Sequence, residues 1–119
     1  MPSKEHDPKA TLFHIRDNIA LARSFVEGFD YERFRADLRT VYAVTRALEI
    51  ISEASRRLPV AIKQRHPELP WVDIAGTDSV YRHDYEDVLE RRFWSALQKD
   101  MPPLLAVVEE ELYDLGELP

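Results

Sequence analysis

The stretch VYAVTRALEIISEASRRL, residues 41–58, decides the fold. Val41, Val44, Leu48, Ile51 and Leu58 recur at the spacing of one helix face. Ala47, Ile50 and Ala54 broaden it, and a face that wide predicts contact with more than one neighbour. Working outward, Asp30 opens this region, with a short turn around Tyr31 and Phe34 before the long helix, and Pro59 stands at its end. Upstream, Asp7-Pro8 is a helix-start signal followed by the stripe Leu12, Ile15, Ile19, Ala22 and Val26, which Gly28 ends. Downstream, Pro59, Pro67 and Pro70 restrict residues 59–70 to short turns and links. Trp71 to about Tyr81 reads as a third, shorter helix with Trp71 and Ile74 inward. Leu89, Phe93 and Leu97 define a fourth. Pro102-Pro103 kink the chain or start a new helix, and Leu105, Val108, Leu112 and Leu115 complete a bundle. There is no alternating strand pattern and no internal repeat, so the expected fold class is all-α, with residues 1–119 as one domain.

Bulk composition agrees. Three glycines against many Ala, Leu, Glu and Arg favour helices. With no cysteine, disulfides and thiolate metal sites are excluded, and a reducing cytoplasm is the expected setting. No apolar run is long enough to span a bilayer, and the N-terminal residues lack the apolar core of a secretion signal. The formal net charge of −6 argues against indiscriminate nucleic-acid binding but allows a local basic site. Arginines cluster at Arg33, Arg35 and Arg39, at Arg56 and Arg57, and at Arg91 and Arg92. Solvated helix faces account for most such runs.

The four histidines, His6, His14, His66 and His83, show no metal-binding spacing, and neither a phosphate-cradling glycine loop nor a hydrolase elbow is present. What remains is the polar stretch from Thr77 to Asp87, holding Arg82, His83, Tyr81 and Tyr85. A histidine can relay protons near neutral pH, and an arginine can hold a phosphate through its planar fork. These are the minimum for metal-free RNA cleavage, in which the ribose 2'-hydroxyl attacks the adjacent phosphate. A capped helix junction with solvated charges is the alternative. Tyr81, Trp71 and Trp94 read as packing residues before nucleotide platforms.

Ile74-Ala75-Gly76-Thr77 running into Val80-Tyr81-Arg82-His83-Asp84-Tyr85 resembles the signature region of the HepT-like branch of the HEPN superfamily. The block Arg46 to Ala54 resembles that family's second helix, with Ser52 where Gly is frequent. Phe93-Trp94 and Pro102-Pro103-Leu104 match its layout, so the likeness runs from His14 to Leu112. The resemblance implies an antiparallel bundle of four to five helices that forms a homodimer, with two motifs facing a shared cleft. It further implies the toxin of a type VII HEPN/MNT toxin–antitoxin system: a metal-independent endoribonuclease acting on RNA, tRNA among the candidates, without a cofactor. Its implied partner is an MNT-type nucleotidyltransferase antitoxin that transfers AMP to the motif tyrosine.

Carried over by position, His83 is the acid/base residue and Tyr85 the AMP acceptor. Asp78 stands where the family has its arginine and Ser79 where it has asparagine. An aspartate repels a phosphate where the arginine would bind it, and four residues on it can pair with Arg82. Two accounts stay open: an inactivated or weakened toxin, which is favoured because both positions changed together, or a variant in which Arg82 substitutes. Positions 78 and 83 lie roughly 140° apart around an ideal helix, so convergence on one phosphate needs a helix break or a partner subunit. Glu53 reads first as an ordinary helix-surface glutamate, with a place at the cleft, orienting His83 or Arg82, as its functional alternative. A non-catalytic dimeric partner of a nucleotidyltransferase is the alternative function.

Overall fold

The computed structural model describes residues 7–76 and 86–119. They form seven helices and one π-helical segment: α1 (Lys9–Phe25), α2 (Tyr31–Ala36), α3 (Leu38–Arg57), α4 (Val60–Arg65), α5 (Trp71–Ala75), α6 (Glu86–Ser95), the π segment (Ala96–Asp100) and α7 (Met101–Asp114). Among the described residues there is no strand, so the all-α expectation holds.

Local chemistry sets the helix starts. The Asp7 carboxylate accepts the Lys9 amide at 3.0 Å, Asp30 accepts from the Arg33 amide at 2.9 Å, and Asp37 from the Thr40 amide at 3.2 Å. Each satisfies an amide that has no partner inside its helix. Gly28, at φ +81, turns the chain out of α1. At the other end Gly116, at φ +79, lets the Glu117 amide reach back to the Leu112 carbonyl and its own amide to that of Tyr113, a Schellman closure.

The wide face of α3 is spent as its pattern predicts. α3 packs most extensively on α1 and also touches α2, α5 and α6, while α7 closes over α1. Leu12, Ile15, Ile19, Val44, Leu48, Ile51, Phe34, Phe93, Leu104 and Leu112 are buried in one continuous cluster. Trp94 lies 5.3 Å from Phe34 and 6.2 Å from Tyr31 between ring centres. Together with the half-buried Trp71, it is a packing residue.

From Glu86 to Asp114 the chain is one helical run, with the π segment in its middle. Pro102 and Pro103 lack the amides that would bond the carbonyls of Gln98 and Lys99, and their rings crowd those carbonyls. The turn widens there, and the prolines fall in the first turn of α7.

Two expectations need correction. The third helix stops at Ala75, short of Tyr81: the Gly76 amide closes its last turn onto Val72 and Asp73, and residues 77–85 lie outside the described residues. Leu115 is exposed and Leu105 only half-buried. Leu115 lies past the end of α7, where the glycine turn hands the core position to Leu118.

Candidate active site

Of the residues singled out by sequence, Asp78, Ser79, Tyr81, Arg82, His83 and Tyr85 lie outside the described residues. The structure does describe the frame on both sides of them. α5 ends against α3 immediately before the motif, and α6 packs on α3 after it.

Within this frame, the Ser52 hydroxyl, itself buried, donates to the Ile74 carbonyl at 3.0 Å. One helical turn further along α3, Arg56 donates through Nη1 to the Ala75 carbonyl. Its Nη2 donates to Glu53 Oε1 at 2.8 Å, and Arg57 Nη1 reaches Glu53 Oε2 at 3.3 Å. The hydrogen bond from Arg56, and then its charge, hold the Glu53 carboxyl below the usual carboxylate range. Glu53 therefore orients two arginines of its own helix; contacts with Arg82 or His83 fall outside the described residues. Sequence reasoning missed Ser52 and Arg56 as contacts of α5. The contacts span 22 and 19 residues, and no periodicity signals a side chain that bonds a distant carbonyl.

The other end of α5 is held as well. The Trp71 indole donates to the His66 carbonyl at 2.9 Å. The His66 ring is buried and its Nε2 lies 2.7 Å from Glu111 on α7. Arg65 donates to the same carboxylate at 2.6 and 3.1 Å. Those bonds from Arg65 and His66 outweigh burial and push the Glu111 carboxyl down. His66 thus has a structural partner.

Two recesses flank the frame. A cleft of about 420 Å³ is lined by Leu38, Tyr42, Thr45, Arg46 and Glu49 of α3 and by Leu89 of α6. Tyr42 is 72% exposed and Leu38 57%. A smaller recess of about 220 Å³ is lined by Asp73, Arg92, Ser95 and Asp100. Burial, with Asp73 adding to it, raises the Asp100 carboxyl.

Charge is unevenly spread. Residues 101–119 hold Glu109, Glu110, Glu111, Asp114 and Glu117 and no Lys or Arg, so most of the net charge of −6 belongs to α7 and the residues after it. Glu109 pairs with Arg16 at 3.2 Å, Glu117 with Lys9 at 3.6 Å and Glu111 with Arg65. These pairs tie α7 and the residues after it to α1 and α4. Among the described residues, no group of three or more His, Asp or Glu is placed to hold a metal ion, and no helix is long and apolar enough to cross a membrane.

Comparison with known proteins converges on this framework. A family model described as "Ribonuclease HepT-like" matches residues 15–111, from the first buried stripe through the motif to the Glu111 anchor. The chain belongs to the HepT-like ribonuclease family. It is 37% identical over 102 residues to "Probable ribonuclease HepT" of Thermococcus cleftensis, covering 86% of this chain and 93% of that one. It is 34% identical to "Putative RNase TTE0752" of Caldanaerobacter subterraneus, covering 88% and 94%. Identity to "Putative RNase MJ0125" of Methanocaldococcus jannaschii is 31%, covering 98% and 99%. No solved structure matches. In this HepT-like chain α3 packs against α5, which precedes the motif, and against α6, which follows it.

Proposed function

We propose that this HepT-like chain is the toxin of a HEPN/MNT toxin–antitoxin pair, built to cleave RNA without a metal and disabled or weakened by Asp78. The observation that carries the reading is the family match across residues 15–111, together with His83 and Tyr85 at the family's motif positions. In the reaction, the ribose 2'-oxygen bonds to phosphorus while the bond from phosphorus to the 5'-oxygen breaks. His83 handles the proton taken from the 2'-hydroxyl or given to the leaving oxygen. The family arginine would neutralise charge on the phosphate. Asp78 brings charge of the wrong sign to that point, Ser79 supplies only a hydroxyl, and Arg82 is the cation left in the motif.

A second copy is proposed to dock on the α3 cleft, where Leu38 and Tyr42 stand exposed beside Leu89. That face lies on the helix that brackets the motif, so pairing through it would bring two motifs into one groove. The partner is an MNT-type nucleotidyltransferase that transfers AMP from ATP to the Tyr85 hydroxyl, releasing pyrophosphate. The whole chain acts as one domain in the cytoplasm.

Incubation with cellular RNA tests the reading. The Asp78→Arg, Ser79→Asn version is expected to cleave and the unchanged chain to cleave weakly or not at all. Cleavage by neither would remove the enzyme. Incubation with the neighbouring nucleotidyltransferase and ATP should add AMP mass at Tyr85; AMP transfer without any cleavage would favour a non-catalytic binding partner instead.

A further inference from the structure

We propose that Ser52 and Arg56 are positioning residues that aim the motif, and that Glu53 acts on the motif through Arg56. This rests on the reading of Asp78 to Tyr85 as the cleavage segment.

α5 is only five residues long. Five residues are too few for a helix to hold itself, because so short a helix satisfies few of its own backbone groups. Local cap amides meet the Val72, Asp73 and Ile74 carbonyls, and bonds from α3 add to them at the last two residues. The common closure of a helix end is a left-handed glycine that folds the chain back over its carbonyls, as Gly116 does for α7. Gly76 is the C-cap of α5 itself, at φ −99 and ψ 4, one position earlier than the place Gly116 holds after α7. The Ile74 and Ala75 carbonyls are met by α3: the first by Ser52 at 3.0 Å, the second by Arg56.

Those two carbonyls are the last in α5, and Asp78 follows within three residues of Ala75. Two bonds from one rigid 20-residue helix fix both the position and the rotation of the α5 terminus. A single bond would leave it free to pivot. Arg56 is held in turn by Glu53 at 2.8 Å, and its planar fork can face a carbonyl and a carboxylate at once. A lysine has no such fork. Ser52 is buried and its hydroxyl spans from α3 to α5, so an alanine there would remove the bond that ties the Ile74 carbonyl to α3.

The test uses Ser52→Ala, Arg56→Gln and Arg56→Lys in the unchanged chain and in the Asp78→Arg, Ser79→Asn version. Amide exchange by NMR is followed at Ile74 and Gly76, with α1 amides as the internal control. Ser52→Ala and Arg56→Gln are expected to speed exchange at Ile74 and Gly76 at least tenfold and to leave α1 unchanged. In the cleaving version, kcat should fall at least tenfold while KM moves less than threefold. Arg56→Lys should fall between, because charge returns without the fork. Unchanged exchange at Ile74 and Gly76 would overturn the proposal, as would faster exchange in α1 and α5 alike. A loss carried by KM alone would also overturn it. Should the Asp78→Arg, Ser79→Asn version cleave nothing, the cleavage reading fails, and the exchange data still decide whether α3 holds the α5 terminus.

Discussion

Replacing Glu111 by Gln tests the anchor that joins α4 to α7. The change keeps the side-chain size and removes the charge. Glu111 is 4% exposed and accepts two bonds from Arg65 and one from His66. Breaking a fully buried ion pair by removing one partner costs about 3–5 kcal/mol. Arg65 is more than half exposed, so it regains water and its share is small. His66 is buried and does not. The net cost at neutral pH is therefore about 2–3 kcal/mol, the loss of one buried charge-assisted bond and part of another. For a chain of this size that lowers Tm by roughly 6–15 °C.

The sign with pH follows from the depressed Glu111 carboxyl. Its contribution is fully present above its unfolded value, near 4.5, and is lost as pH falls through the lower folded value. The stability gap between the unchanged chain and Glu111→Gln should be widest near pH 7 and shrink below about pH 4. Urea unfolding followed by circular dichroism, at one fixed protein concentration from pH 3 to 8, measures it. A gap that stays constant across that range, or stays below about 0.5 kcal/mol at pH 7, would refute the reasoning.

Other consequences follow from the same packing. Phe34→Ala removes a ring that is fully buried against Trp94 and should cost about 3–5 kcal/mol in chemical denaturation. Gly28→Ala meets open space but must adopt φ +81, so backbone strain alone should cost about 1 kcal/mol. Asp30→Ala loses the α2 cap and should cost about 1 kcal/mol, most of it recovered by Asp30→Asn. Leu38→Glu with Tyr42→Glu places charge on the exposed α3 cleft. Sedimentation should then show the 13.9 kDa monomer with its helical spectrum unchanged; a dimer that persists would move the pairing face elsewhere.

Much of this architecture was legible in the sequence, because burial leaves a periodic trace. The stripes Leu12–Ile15–Ile19 and Val44–Leu48–Ile51 mark α1 and α3 and their shared core, and Asp30, which caps the Arg33 amide, marks a helix start; the Asp37 cap of α3 was not singled out. The clefts and long-range polar contacts were not legible. Ser52 resembles any helix serine until α5 is seen to present its Ile74 carbonyl. Glu111 sits among other acids of α7 and looks like part of a solvated charge run, yet it is the buried one. Contacts across 19 to 46 residues depend on how elements are laid together, which period and composition do not encode. The reach of the third helix was overestimated because the polar run after Gly76 still carries helix-compatible residues. The family was legible through resemblance, as the match over residues 15–111 bears out, while the roles read by position onto Asp78, His83 and Tyr85 fall outside the described residues.

The central claim is metal-free transesterification by His83. Its most direct measurement is the chemistry of the RNA ends left by the Asp78→Arg, Ser79→Asn version in excess EDTA, with and without His83→Ala. The account predicts 2',3'-cyclic phosphates with EDTA present and no cleavage once His83 is alanine. Ends carrying a 3'-hydroxyl, cleavage quenched by EDTA, or full activity after loss of His83 would contradict it.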